Sequence, residues 1–105
     1  MLIMVTMFYP LTKVPEVAKK YFEAFKKFPL KAFEKEVVTA MKMHDKEGGV
    51  GIAIVEVEKG RYEDALNLGY KRMLQFSSIE GFNYKVETLM TVEESLKSMG
   101  IVPPK

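Results

Sequence analysis

The hydrophobic positions of this chain follow two different periods, which alternate along the sequence. From Leu2 to Tyr9, apolar residues occupy both alternating faces, a pattern typical of a strand that is covered on both sides. From about Thr12 to Phe28 they recur at three- and four-residue spacing, which predicts an amphipathic helix with Thr12 as its N-cap and Pro29 as its stop. The predicted packing stripe of this first helix comprises Val14, Val17, Ala18, Tyr21, Phe22, Phe25 and Phe28.

Two strands joined by a polar turn follow the first helix. Residues 36–44 alternate in the manner of a half-buried strand, with Val37, Thr39 and Met41 on one face. Residues 45–49, Asp-Lys-Glu-Gly-Gly, have the composition of a hairpin turn. Residues 50–57 are rich in β-branched side chains, so we expect them to form a third strand antiparallel to the second.

The helical period then returns, and one more strand and a short helix complete the chain. Helix 2 is predicted over residues 62–76, with Gly69 serving close packing of the helix on the sheet. Strand 4 is predicted over residues 82–90. A capping-box sequence begins at Thr91 and predicts a last helix, which Gly100 ends.

The motif Val-x-Thr-x-Met occurs twice, beginning at Val37 and at Val86. Each copy closes a strand-helix-strand unit, so Thr39 and Thr88 are predicted to be pseudo-symmetric packing positions. Right-handed crossovers then give an α+β, ferredoxin-like βαββαβ fold. Its antiparallel four-stranded sheet has the order 4-1-3-2, with two helices on one face and a short C-terminal helix.

Two helices cover only one face of such a sheet, yet strands 1 and 3 are apolar on both faces. Over residues 2–91, in the order and pattern of its elements, the chain resembles the dimeric α+β barrel superfamily, whose protomers pack sheet to sheet. The resemblance implies a homodimer formed through the sheet face. Because that superfamily includes monooxygenases, isomerases, haem-linked enzymes and stress-responsive proteins, it also implies cofactor-independent oxygenation or isomerisation as the class of chemistry.

Length and composition bound the remaining possibilities. The 105 residues predict a single domain over residues 1–105, of which 100–105 form a loose tail. There are 16 basic and 14 acidic residues, a balance that argues against nucleic-acid binding. Absence of cysteine and of a signal-like N-terminus favours a cytoplasmic protein that does not enter membranes. Few amide side chains beside many Lys and Glu residues indicate a thermophile-like composition.

Five residues are candidates for a functional site. His44, the only histidine, is the natural acid or base, although a solvated histidine at a hairpin is a common alternative. Glu87 would be a second catalytic candidate if it is buried, since burial raises the pKa of a carboxyl group. Lys42 is a ligand-binding candidate if it lines a polar interior or an inter-subunit site, and the alternative is that it faces water at a sheet edge. Tyr9 and Tyr84 lie near strand ends, where a hydroxyl group can reach a ligand.

The sequence therefore predicts binding of a small apolar or aromatic molecule, with a non-catalytic module that acts through dimerisation as the alternative. No cofactor and no metal are predicted, because one histidine at a hairpin is a poor axial ligand for haem and thiolate ligands are missing. An RNA-recognition role is rejected, since residues 49–55 contain no aromatic side chain to stack on bases.

Overall fold

The computed structural model describes residues 1–44 and 48–102. It describes the side chains of all these residues except 43 and 44. The predicted order of strands and helices is confirmed. The elements are β1 (Leu2–Tyr9), a short 3-10 turn (Leu11–Lys13), α1 (Val14–Lys27), β2 (Glu34–His44), β3 (Gly48–Val57), α2 (Tyr62–Leu74), β4 (Asn83–Leu89) and α3 (Val92–Ser98). The predicted N-cap Thr12 instead lies in the 3-10 turn, and Lys13 precedes α1 without a side-chain cap. Residues 45–47 of the predicted turn and 103–105 of the tail lie outside the described residues, whereas Gly48 and Gly49, also predicted as part of the turn, belong to β3.

The four strands form one antiparallel sheet in the order β2-β3-β1-β4, which is the order predicted from the sequence. The central strand β1 pairs with both β3 and β4, so that Ile3 lies opposite Val55 on one side and Thr88 on the other. The molecule measures 47 × 31 × 17 Å, and the short dimension corresponds to one sheet covered by one layer of helices.

Residues of β1 show which face of the sheet is covered. Ile3, Val5, Met7 and Tyr9 are buried and pack with residues of both α1 and α2 in one core, because alternate strand residues point to the same side. We call this side the helix face. The opposite side, called the open face below, carries Leu2, Met4, Thr6 and Phe8 of β1, Val50, Ile52 and Ile54 of β3, and Val38 and Ala40 of β2.

A β-bulge interrupts the pairing of β2 with β3. Glu36 pairs with Val55 and Val38 pairs with Ile54, so Val37 has no partner in the ladder. An extra residue shifts the alternation of the strand by one position. As a result Glu36 and Thr39 lie on the same face, although their spacing of three residues predicts opposite faces.

A buried ion pair joins α2 to the first residue of β2, and further hydrogen bonds join it to the segment between α1 and β2. The guanidinium of Arg72 donates two hydrogen bonds of 2.8 Å to the carboxylate of Glu34, one of 2.8 Å to the carbonyl of Phe28 and one of 3.0 Å to the carbonyl of Pro29. Both charged side chains are almost completely buried. The sequence pattern does not reveal this pair, because its two residues lie 38 positions apart in the chain.

The C-terminal helix begins with the predicted capping box. The side chain of Thr91 accepts a hydrogen bond from the backbone of Glu94, whose carboxylate accepts one from the backbone of Thr91. This backbone hydrogen bond is the main reason why the pKa of Glu94 is lowered, and the nearby amino terminus of Met1 adds to the effect. No residue of α3 is buried. None of the described helices combines the length and the hydrophobicity that a transmembrane helix needs.

The prediction for Gly69 is wrong. This residue is buried in α2, yet a Cβ atom placed there would meet no atom within 4 Å. The close packing of helix on sheet that the sequence suggested therefore does not depend on a glycine at this position.

Candidate functional site

A cavity of about 400 Å³ lies on the helix face between α1 and strands β1, β2 and β3. Its lining residues are Met7, Tyr9, Val14, Val17, Ala18, Tyr21, Phe22, Thr39, Ala40, Met41 and Gly51. The cavity exists because α1 leaves the edge strand β2 partly uncovered: Phe22 is 74% exposed and Met41 is 52% exposed. Its volume falls within the range of sites for small molecules, and its walls are mostly apolar.

Glycines on β3 make room for the cavity floor. A Cβ atom on Gly49 would lie 2.2 Å from Cε2 of Tyr9, and one on Gly51 would lie 3.0 Å from Cε of Met7. The absence of side chains lets two residues of β1 lie across the neighbouring strand. Tyr9 also stacks on Phe82, with ring centroids 6.4 Å apart. Burial raises the pKa of Tyr9, so its hydroxyl group is protonated at neutral pH.

Polar side chains meet at the contact between α1 and β2. The hydroxyl of Thr39 donates a hydrogen bond to the carboxylate of Glu36, which the bulge has placed on the same face. Burial is the main reason why the pKa of Tyr21 is raised; the Thr39 hydroxyl lowers it, the Glu36 carboxylate raises it and the Arg72 guanidinium lowers it. Tyr21 is thus neutral near pH 7, and its hydroxyl group faces a polar rather than an apolar neighbour.

The structure separates the two tyrosines that the sequence grouped together. Tyr9 lines the cavity, as described above. Tyr84 lies on β4 beneath α2, where its ring packs edge-on against Tyr70 at 6.3 Å and in a tilted arrangement against Phe82 at 6.5 Å. Both tyrosines satisfy the same sequence criterion, a position near a strand end, but only Tyr9 lies beside a space large enough for a ligand.

The charged candidates lie away from the cavity. Lys42 pairs with Val50 and projects from the open face, on the other side of the sheet. Glu87 also lies on the open face; it is 45% exposed, and its carboxylate is 3.6 Å from the ammonium group of Lys85. The burial on which its proposed role depended is therefore not present. His44 ends β2 opposite Gly48, and its side chain lies outside the described part of the chain.

Several residues of the cavity were not singled out by the sequence. Tyr21, Phe22 and Ala18 belong to the predicted packing stripe of α1, but the structure exposes Phe22 and Ala18, so the stripe is wider than the surface that α1 buries. Thr39 and Met41 carried a signal as members of the repeated motif. Among the described side chains, no group of three or more potential ligands could hold a metal ion.

Comparisons with known proteins identify a fold and no family. No protein-family model matches the chain, and no curated protein is significantly similar to it in sequence. Among solved structures, the chain is similar to a de novo designed protein, Foldit4, with a TM-score of 0.53 and 13% sequence identity. The match covers 85% of this chain and 96% of the designed one. A likeness at this level of identity concerns the arrangement of strands and helices alone.

Proposed function

We propose that this protein binds a small, mostly apolar or aromatic molecule in the cavity between α1 and the sheet. The observation that carries the proposal is an apolar space of about 400 Å³; among the described residues of its lining, three carry a hydroxyl group, namely Tyr9, Tyr21 and Thr39. Sites for small molecules commonly combine an apolar wall with a few polar groups that fix the orientation of the ligand.

The rim of the cavity supports the same function. Phe22 and Met41 are large apolar side chains that face solvent on either side of the opening. Exposed apolar side chains that lie together are typical of ligand-binding grooves. A methionine can adapt its conformation to ligands of different shape, and an aromatic ring can stack on a flat one. Occupation of the cavity by an apolar molecule would remove both side chains from water.

The proposal concerns binding and not catalysis. Glu87 and Lys42 lie on the open face, so neither can reach a molecule held on the helix face. The groups that line the cavity are hydroxyls, and burial keeps the pKa values of Tyr9 and Tyr21 above the normal value for tyrosine. Neither tyrosine is therefore suited to act as a general base at neutral pH.

Titration with naphthalene tests the proposal. We expect the amide signals of α1, β2 and the glycines of β3 to shift in ¹⁵N-¹H NMR spectra, because the ligand enters between these elements. Replacing Ala18 by Phe fills the mouth of the cavity and should abolish the shifts. The matched control is Ala32→Phe, also at an exposed alanine but outside the cavity. Unchanged binding to the Ala18→Phe variant would contradict the proposal.

A second candidate function is homodimerisation through the open face, and a separate observation favours it. The centre of this face is apolar, with Met4 on β1 and Ile52 and Ile54 on β3, while charged side chains such as Lys42 and Glu87 lie on the flanking strands. An apolar centre with a polar rim is the usual composition of a protein interface. Two copies related by a two-fold axis would cover each other's sheets.

Sedimentation at low micromolar concentration tests the dimer. We expect a dimer for the natural chain and a monomer for Ile52→Glu, because a carboxylate in the centre of the interface would be desolvated without a partner. The control is Leu74→Glu, since Leu74 is an exposed apolar residue on α2, away from the open face. A natural chain that sediments as a monomer would contradict this second proposal and leave the cavity proposal intact.

A further inference from the structure

We infer that the cavity selects aromatic molecules that carry a neutral hydroxyl group and discriminates against the corresponding carboxylates. This inference rests on the proposed function, because it names the chemical class of the molecule that the cavity holds. It follows from the position of Glu36 relative to the hydroxyl groups of Tyr21 and Thr39.

The first step concerns where a polar ligand atom can bind. Tyr21 extends from α1 and Thr39 from β2, and both residues line the cavity where the two elements meet. The remaining hydroxyl of the lining, that of Tyr9, lies over the glycines of β3. A ligand whose aromatic part occupies the apolar space would therefore find hydrogen-bonding partners for one polar substituent at the junction of α1 and β2.

The second step concerns the charge behind these hydroxyls. The carboxylate of Glu36 accepts the hydrogen of the Thr39 hydroxyl, so the Thr39 oxygen offers lone pairs rather than a hydrogen to its other neighbours. Glu36 reaches this position only because of the bulge at Val37, which turns it to the helix face. Bulges are known to re-aim side chains beside functional sites.

The third step concerns the cations around this carboxylate. Among the described side chains, Glu36 forms no ion pair with a lysine or an arginine. The guanidinium of Arg72 lowers the pKa of Tyr21, whereas Glu36 raises it. However, that guanidinium is bound to Glu34 by two hydrogen bonds, and the Arg72–Glu34 pair carries no net charge. A carboxylate on the ligand would meet an uncompensated negative charge, whereas a neutral hydroxyl would find acceptors for its hydrogen.

Naphthalene and two of its derivatives, 2-naphthol and 2-naphthoate, test this selectivity in the 105-residue chain. Each compound is titrated at low ionic strength and neutral pH, and binding is followed by NMR. We expect 2-naphthol to bind about three- to tenfold more tightly than naphthalene, the effect of one added hydrogen bond. We expect 2-naphthoate to bind more weakly than either.

Two variants assign the effect to residues. Tyr21→Phe should reduce the affinity for 2-naphthol to near that for naphthalene, and Thr39→Val, at an exposed strand position, provides an independent variant with the same expected direction. Glu36→Gln should raise the affinity for 2-naphthoate about two- to fivefold, because the repulsion between exposed charges is modest. Glu63→Gln, a matched change at an exposed position on α2, should leave all three affinities unchanged.

The possible outcomes are distinguishable. If all three compounds bind with equal affinity, or if Glu36→Gln does not favour 2-naphthoate, the selectivity is overturned while the proposed binding function stands. If none of the compounds shifts the signals of α1 and β2, both the selectivity and the binding function are overturned. Tighter binding of 2-naphthol that Tyr21→Phe and Thr39→Val both abolish would support the inference.

Discussion

The outer strands β2 and β4 carry the same motif, but the space between each strand and the nearest helix is filled differently. Beneath α2, the rings of Phe76 and Phe82 stack at 4.6 Å, and the hydroxyls of Tyr62 and Thr88 form a hydrogen bond. Beneath α1, the equivalent Thr39 instead donates to a carboxylate of its own strand, and a cavity remains. A repeated motif therefore specifies equivalent places in the sheet without specifying what fills the space above them.

The difference arises from how the helices lie over the outer strands and from the bulge in β2. Phe76, two residues after the end of α2, is completely buried, whereas Phe22 on α1 is 74% exposed, although both belong to apolar stripes of helical spacing in the sequence. The bulge adds a second asymmetry, because it brings Glu36 to the helix face where the other half has an apolar neighbour, Val86. We call the region beneath α2 the filled half and the region beneath α1 the cavity half.

The largest expected effect contrasts the two phenylalanines. Phe76→Ala should lower the free energy of unfolding by about 4 kcal/mol, because it removes a fully buried ring and leaves a cavity. Phe22→Ala should change it by less than about 0.5 kcal/mol, since the ring is mainly in solvent. Urea denaturation followed by circular dichroism measures both. Equal losses for the two variants would show that the halves are not packed differently.

Next in size is the ion pair that connects the two halves. Arg72→Met should lower the free energy of unfolding by about 3 kcal/mol, because Glu34 would remain buried without its partner. The neighbouring Lys71→Met, at an exposed position, should have almost no effect in the same urea titration. The double variant Glu34→Met with Arg72→Met should recover much of the loss. A double variant as unstable as Arg72→Met alone would argue against an unpaired carboxylate as the cause.

A smaller effect is expected beneath the cavity, where Tyr9 lies over β3. Gly49→Ala should lower the free energy of unfolding by about 2 kcal/mol, since the new Cβ atom would lie 2.2 Å from the ring of Tyr9 and force it to move. The displaced ring should also alter the naphthalene-induced shifts of α1. Normal stability together with unchanged shifts would show that Tyr9 is not held over this glycine.

The smallest change is expected in the filled half, and it has the opposite sign. Gly69→Ala should raise the free energy of unfolding by about 0.5–1 kcal/mol, because alanine is the better helix former and its Cβ atom meets nothing within 4 Å. Thermal unfolding of the two proteins in parallel detects such a difference. A loss of stability would restore the interpretation that this glycine allows close packing.

Much of the fold could be predicted because it follows from local periodicity. The bounds of β1, the capping box at Thr91 and the order of the strands in the sheet agree with the sequence pattern. Of the cavity, only Tyr9 was named in advance as a ligand-binding residue. Tyr21 and Phe22 were assigned to the core, since a stripe of apolar residues shows that a helix has a packing face but does not show how much of that face is covered.

The sequence by itself determined the periods of the elements and the α+β order of the sheet, because these depend on residues close together in the chain. Only the tertiary structure decided that Glu36 turns to the helix face, that Arg72 is buried against Glu34, and that α1 leaves space above β2. These features depend on a bulge and on contacts between distant segments. No local pattern encodes them, since each one is settled when the elements pack together.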